Sequence, residues 1–90
     1  MNLKVLCVGA GLTGSVIARQ LADQGLPVTV IDEREHIAGN CYCHRNPETG
    51  ILVHTYGPHI FHTSNIKIWE YFNQYAEFRP YVHRVKASNL

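Results

Sequence analysis

The first third of the chain contains two short apolar runs separated by a segment with helical spacing. The runs cover residues 3–8 and 28–31, and apolar or small residues recur every three or four positions from 12 to 24. Short apolar runs bounded by glycine or proline predict strands, and the helical period predicts a helix that Gly25 ends. The pattern therefore predicts a strand–helix–strand (βαβ) unit, with its first strand buried on both faces.

The remaining two thirds of the chain predict a hairpin, a helix and a last strand. Residues 41–45 and 51–56 flank the sequence NPETG, whose Asn, Pro and Gly favour a turn. Ser64 or Asn65 is placed to cap a helix over residues 66–78, in which Trp69 and Phe72 belong to the apolar stripe. Pro80 ends that helix, and YVHRVKASNL predicts a final strand.

Composition restricts the class of partner. Eight Lys plus Arg against seven Asp plus Glu give a formal net charge of +1, without the basic stripe of a nucleic-acid-binding protein. No apolar run reaches the roughly 20 residues of a membrane span, and the first residues lack the long apolar core and the cleavage site typical of a signal peptide. We therefore expect a cytoplasmic protein without nucleic-acid or membrane partners.

The three cysteines are predicted to be reduced thiols. Cys7 lies in an apolar run, and Cys41 and Cys43 are too close in sequence to staple a small secreted fold. A zinc site is the alternative, because His44 and His54 are also metal-ligating residue types. The C-x-C-H spacing is not that of a structural zinc site, so we expect no metal.

The most informative motif is VGAGLTG, with Gly9, Gly11 and Gly14 in G-x-G-x-x-G register between the first strand and the helix. The first glycine permits a tight turn, the second lets the backbone approach a pyrophosphate, and the third lets the helix pack closely on the strand. Asp32 ends the second strand, where an acid accepts hydrogen bonds from a ribose hydroxyl. This context predicts a dinucleotide site on an α/β, Rossmann-like fold.

The glycine motif alone does not separate NAD from FAD, because both cofactors present an ADP moiety. After Asp32 the chain runs into HIAGN instead of a second crossover helix. A loop with Gly39 and Asn40 beside the glycine turn can reach the ribose and the pyrophosphate. A plain strand-to-hairpin connection is the alternative interpretation of the same residues.

Three segments together resemble the N-terminal part of the UDP-galactopyranose mutase family: GAGLTGSVIARQLA, VIDEREHIAGNCY and YGPHIFHTSNIKIWEYFNQYAEF. They cover nearly the whole chain. The resemblance implies that residues 1–90 are the N-terminal portion of a larger doubly wound domain that binds FAD. It also implies an isomerase that interconverts UDP-galactopyranose and UDP-galactofuranose, in which reduced flavin is the nucleophile toward the anomeric carbon.

Site residues are carried over from the family position by position. The resemblance places His59 and Ile60 against the flavin, with Gly57 allowing close backbone approach, and His83 near the UDP-sugar. The positions expected to contact FAD are Gly9, Gly11, Thr13, Gly14, Asp32, Glu33, Asn40, Gly57, His59 and Ile60. Beyond flavin-adjacent His59 no catalytic residue is expected in these 90 residues.

Two positions depart from the family pattern, and two histidines receive a structural role. Ala38 replaces the first glycine of the usual G-G-N and is expected to tighten its loop, while Pro58 replaces an alanine and stiffens the turn. His54 and His62 are interpreted mainly as structural residues, since a histidine without a partner has no function.

Length limits what the chain can do alone, and two alternatives to the mutase stay open. The family enzyme is about four times longer than this chain, and its substrate-binding arginines lie downstream, so the 90 residues alone are expected to lack turnover. The alternatives are the N-terminal domain of an NAD-dependent oxidoreductase and a non-catalytic fragment that associates with itself through open strand edges.

Overall fold

A computed structural model describes residues 3–89, which divide into two compact units between Ile60 and Phe61. The first unit contains four strands and one helix, and the second contains one helix. Their bounds are Val5–Val8 (β1), Leu12–Asp23 (α1), Val28–Ile31 (β2), Cys43–Arg45 (β3), Leu52–His54 (β4) and Ile66–Asn73 (α2), with a short 3-10 turn at Gly39–Cys41.

The predicted βαβ unit is confirmed. Strands β1 and β2 pair in parallel, with Val5 opposite Val28 and Val8 opposite Ile31, and α1 packs on both strands. The ladder continues through Gly9, whose N–H donates to the carbonyl of Ile31 over 2.7 Å. This last bond fixes where the chain leaves β1 and begins the glycine turn.

The prediction that the first strand is buried on both faces is wrong. Exposure alternates along β1, with Val5 and Cys7 half-buried, while Leu6 remains 60% exposed and Val8 79% exposed. The reason is that α1 covers one face of a sheet of two strands, whereas burial on both faces requires helices on both. Among residues 3–89 the buried side chains are Ala10 and Ala18.

The predicted hairpin is confirmed, with shorter strands. Strands β3 and β4 pair antiparallel, and Cys43 lies opposite His54. Asn46 organises the connecting turn, because its side-chain oxygen accepts from the N–H groups of Glu48 (2.9 Å) and Thr49 (3.1 Å). Such side-chain-to-backbone bonds are why asparagine favours turns.

The second unit is built on α2 and an aromatic cluster. Asn65 caps α2 as predicted, accepting from the N–H groups of Lys67 and Ile68 at 2.9 and 3.3 Å. The ring of Phe61 lies 4.9 Å from that of Phe72 and 6.0 Å from that of Trp69, so the apolar stripe packs inside this unit. Within the described chain no helix has the length and apolarity needed to cross a membrane.

Two predictions for the second unit are wrong. Helix α2 ends at Asn73 and not at residue 78, because the backbone tightens into i to i−3 bonds from Gln74 to Tyr71 and from Tyr75 to Phe72. Residues 81–89 form no strand, since a strand needs a partner and the part of the chain that the structure describes supplies none there. The last position of that predicted strand, residue 90, lies outside the described residues.

Ala38 occupies a backbone conformation that favours glycine. Its φ is 76°. Among residues 3–89 every other residue with positive φ is a glycine. For an L-residue the left-handed region costs about 1–2 kcal/mol, because Cβ approaches the following carbonyl oxygen. The alanine therefore adds strain to the loop that it was expected to tighten.

Replacing Ala38 by glycine should stabilise the chain by about 1 kcal/mol, because the strain relief exceeds the extra entropy of a glycine in the unfolded state. The free energy of unfolding from urea titration measures the change. Ala22→Gly is the matched control, since Ala22 lies exposed in α1. It should destabilise by about 0.5–1 kcal/mol, and equal signs for the two variants would contradict the assignment of strain.

Candidate functional site

The loop between β1 and α1 is shaped by two of its glycines. Gly9 has φ of 108°, a conformation that side chains rarely adopt. A Cβ on Gly14 would overlap the carbonyl oxygen of Gly9, so only glycine allows the first turn of α1 to lie against the loop. The backbone geometry confirms the predicted roles of these two glycines. Gly9 permits a tight turn, and Gly14 permits close packing of the helix on the strand.

The N-terminus of α1 opens toward this loop without a side-chain cap. Gly11 is the N-cap residue and offers no oxygen, and the first helical bond runs from Ser15 N–H to the Gly11 carbonyl over 3.0 Å. The N–H groups of the first turn precede that bond, and together with the helix dipole they favour an anion. A concave region of about 450 Å³ lies here, lined among others by Cys7, Thr13 and Ile17.

Gly11 differs from its neighbours because nothing in the fold requires it to be glycine. Its φ is −76°, and a Cβ built on it would meet only the Cα of Gly39, at an ordinary contact distance of 3.9 Å. The fold therefore leaves room for a side chain at Gly11. The role of this glycine in admitting a pyrophosphate stays a prediction.

Asp32 connects the end of β2 to the glycine loop. Its Oδ2 accepts from the N–H of Ala10 over 2.7 Å, and its Oδ1 accepts from the N–H of Arg34 over 2.8 Å. These two main-chain bonds, Ala10 first, hold the pKa of Asp32 below its ordinary value, with the charges of Arg34 and His36 adding in the same direction. The carboxylate is therefore anionic at neutral pH.

The loop after β2 returns to the glycine turn, as its sequence predicted. The N–H of Ala38 donates to the carbonyl of Ala10 over 2.8 Å, and a Cβ on Gly39 would stand 3.1 Å from the Cα of Gly11. Asn40 follows in the 3-10 turn, where its Oδ1 accepts from Arg34 Nη1 over 2.9 Å. The fold thus brings Gly11, Asp32 and Asn40 to one place.

The segment after β4 carries the other predicted contacts. Gly57 has φ of 92°, a conformation that favours glycine in this turn, and its close approach to a flavin stays a prediction. His59 and Ile60 follow it as exposed residues. The Nδ1 of His59 lies 3.0 Å from the carbonyl oxygen of Gly57, which can only accept, so Nδ1 carries the hydrogen. The Nε2 of a neutral His59 is then an acceptor.

Several predicted residues have no described role in this geometry. Thr13 is exposed on the first turn of α1. Glu33 is exposed directly after Asp32. In the second unit, His62 is exposed and the Nδ1 of His83 lies 3.4 Å from the hydroxyl of Tyr81. Among residues 3–89 no group of three or more His, Cys, Asp or Glu side chains is arranged to hold a metal ion.

Four residues that the sequence did not single out are joined to the site: Arg34, His36, Tyr42 and Tyr56. Arg34 contacts both Asn40 and the ring of Tyr56, whose hydroxyl is 2.8 Å from His36 Nε2. No local pattern marks such contacts, because the two rings are 20 residues apart in sequence. The one available signal was the occurrence of Arg34 and His36 between predicted cofactor contacts.

Comparison with known families agrees with this geometry. The family model described as an NAD(P)-binding Rossmann-like domain matches residues 7–75. The chain belongs to this family. The predicted Rossmann-like α/β fold is therefore confirmed, and the match covers the glycine loop, Asp32 and the turn at Asn40.

Individual relatives extend the similarity along nearly the whole chain. A probable UDP-galactopyranose mutase of Klebsiella pneumoniae is 60% identical over 87 residues, which are 97% of this chain and 23% of the relative. A dTDP-fucopyranose mutase of Escherichia coli is 53% identical over 94% of the chain and 22% of its own length. A UDP-galactopyranose mutase of Mycoplasma genitalium is 43% identical over 93% of the chain and 21% of its own.

These relatives confirm the resemblance to UDP-galactopyranose mutase that the three sequence segments indicated. The chain spans less than a quarter of the length of each of them. The similarity therefore concerns the dinucleotide-binding portion described above.

The glycines of the loop should separate into two classes on mutation. Gly14→Ala should destabilise the fold by about 1–3 kcal/mol, because its Cβ must displace the backbone of Gly9. Gly11→Ala should change the free energy of unfolding by less than about 0.5 kcal/mol, since its Cβ meets nothing closer than ordinary contact. Urea denaturation of both variants tests this, and an equally large loss in both would contradict it.

Stability should depend on pH through Asp32. Its pKa is lowered in the folded state, so its contribution is present above the unfolded-state pKa and lost as pH falls through the folded one. Asp32→Asn removes one acceptor and places an NH₂ group against a main-chain N–H. The melting temperature of the variant should lie below that of the wild type at neutral pH, and the gap should close below about pH 3.9. A difference in melting temperature that stays the same from pH 7 to 2.5 would rule out this role of Asp32.

Proposed function

We propose that the natural polypeptide carrying this chain binds FAD and interconverts UDP-galactopyranose and UDP-galactofuranose. The observation that carries the proposal is the convergence of Gly11, Asp32 and Asn40 at the uncapped start of α1. A pyrophosphate beside a helix N-terminus and a ribose beside an acid are the two parts of an ADP moiety. The mutase relatives support the choice of reaction.

The adenosine end of the cofactor would be held by the glycine loop and the end of β2. Pyrophosphate oxygens would accept from the free N–H groups at the first turn of α1, near Thr13. Each oxygen of Asp32 already accepts one main-chain N–H, and a carboxylate oxygen has a second lone-pair site for a ribose hydroxyl. Glu33 follows Asp32 directly, and Asn40 follows in the 3-10 turn at Gly39–Cys41.

The flavin end would lie at the segment after β4. Gly57 lets the backbone approach the ring, Ile60 offers an apolar contact, and His59 offers its Nε2 because Nδ1 is committed to the Gly57 carbonyl. When bound and reduced, FAD would supply the nucleophile for the anomeric carbon of the sugar. His83 remains our candidate for contact with the UDP-sugar.

Two other functions have a specific observation in their favour. The Escherichia coli relative is named for dTDP-fucopyranose, so the sugar nucleotide could differ in both base and sugar. The matching family is described by NAD(P) binding, which fits a nicotinamide-dependent oxidoreductase with the same βαβ start. We favour the UDP-galactose reaction because the relative with 60% identity carries that name.

The decisive experiment is purification of the natural polypeptide followed by its visible spectrum and a turnover assay. We expect a yellow protein that retains stoichiometric FAD and, once reduced with dithionite, converts UDP-galactofuranose faster than dTDP-linked fucofuranose. A colourless protein that binds NAD⁺ would overturn the proposal in favour of the oxidoreductase. Faster conversion of the dTDP-sugar would instead reassign the substrate.

Variants at the two ends of the site give the matched controls. Gly11→Ala should purify without flavin, because the Cβ enters the path of the pyrophosphate, and it should melt like the flavin-free wild type. His59→Ala should keep FAD, change the flavin spectrum and slow turnover by about ten- to hundredfold through misplacement of the ring. Chelator should change nothing, and zinc lost from His59→Ala would contradict the flavin assignment.

A further inference from the structure

Four side chains of the first unit form a cluster outside the predicted cofactor contacts. His36 stacks on Tyr42 with ring centroids 3.8 Å apart and an angle of 11° between the planes. The ring of Tyr56 lies 5.7 Å from that of His36, and the guanidinium carbon of Arg34 lies 4.3 Å from the Tyr56 centroid. This cluster, which we call the Tyr56 cluster, joins the loop after β2 to the segment after β4.

The hydrogen bonds of His36 make the hydroxyl of Tyr56 its fixed partner. Nδ1 lies 2.8 Å from the carbonyl oxygen of Ile37, which only accepts, so Nδ1 carries a hydrogen. In the neutral ring Nε2 therefore accepts from the Tyr56 hydroxyl over 2.8 Å. In the protonated ring the same phenol oxygen accepts instead, so the link between the two loops exists in either charge state.

The ring of Tyr56 also positions Arg34. The guanidinium stacks on that ring while Nη1 donates to Asn40 Oδ1 over 2.9 Å, and the main-chain N–H of Arg34 donates to Asp32 over 2.8 Å. A planar guanidinium is well suited to stacking and hydrogen bonding at once. The position of the Tyr56 ring therefore affects Asp32 and Asn40, the two residues that we assign to the adenosine end.

Tyr56 is also the residue directly before the turn that carries the flavin-end contacts. The N–H of Gly57 donates to the carbonyl of His54 over 3.2 Å, which fixes the backbone at Tyr56 to the end of β4. His59 and Ile60 follow that fixed point within three and four residues. A shift of Tyr56 would therefore move the segment that we assign to the flavin.

We propose that Tyr56 is a positioning residue that couples the two ends of the cofactor site, through His36 and Arg34. The proposal rests on the assignment of FAD made above. Holding both loops in place before binding lowers the ordering cost for a ligand that spans them. A ligand that occupies the adenosine end alone, such as ADP, gains from the Arg34 platform but not from the coupling.

The test compares affinities of the flavin-free natural polypeptide for FAD and for ADP by calorimetry. Tyr56→Phe keeps the ring under Arg34 and removes only the hydroxyl that reaches His36. We expect FAD affinity to fall about five- to twelvefold, the upper part of the range expected for one side chain left unordered, while ADP affinity stays within about twofold. Tyr56→Leu also removes the platform, so ADP affinity should then fall together with FAD affinity.

His36→Phe supplies the second arm. It keeps the stacking on Tyr42 but removes the bond to Tyr56, so it should repeat the FAD loss of Tyr56→Phe. Because both variants break one link, the double variant should lose no more than either single variant. Additive losses would overturn the coupling.

Tyr81→Phe is the matched control, because the Tyr81 hydroxyl faces His83 in the second unit over 3.4 Å. Both affinities should stay at wild-type values in that variant. Equal losses of FAD and ADP affinity in Tyr56→Phe would reduce Tyr56 to a structural residue, and unchanged affinities would remove its role altogether. A wild type that fails to bind FAD would overturn the proposed function itself, which separates the two failures.

Discussion

The hydrogen bond from the Ala10 N–H to the Asp32 carboxylate is the constraint on which the site depends. After β1 the chain turns at Gly9, and the N–H of the next residue, Ala10, donates to a side chain instead of to the backbone of β2. Asp32 provides that acceptor because the parallel register places the end of β2 beside the end of β1. The carbonyl of Ala10 accepts from the N–H of Ala38. Ala10 therefore binds both the start of the loop after β2, at Asp32, and its later part, at Ala38.

Local signals in the sequence were sufficient for the βαβ unit and the hairpin. Glycine at a position with positive φ, asparagine at a helix cap and at a turn, and the 3.6-residue period each act within a few residues of where they stand. Gly9, Asn46 and Asn65 are the examples in this chain, and each makes the local structure expected of it. The dinucleotide site followed because its fingerprint is also local.

What the sequence could not predict depends on contacts between distant residues. Leu6 and Val8 look like core residues, but burial depends on how many layers cover the sheet and not on the strand itself. The last residues have the composition of a strand, yet pairing needs a partner that composition does not supply. The Tyr56 cluster was missed for the same reason, since His36 and Tyr56 meet across two elements.

His36 and His59 show that the role of a histidine depends on the group opposite each ring nitrogen more than on the residue type. In both rings a backbone carbonyl takes Nδ1, which leaves Nε2 as the nitrogen that meets another group. At His36 that group is a tyrosine of the same chain, and the ring becomes a link between loops. At His59, an exposed residue, no such partner stands opposite Nε2 within the described residues, so this nitrogen remains available to a ligand. The same chemistry therefore yields a structural role at one position and a candidate cofactor contact at the other.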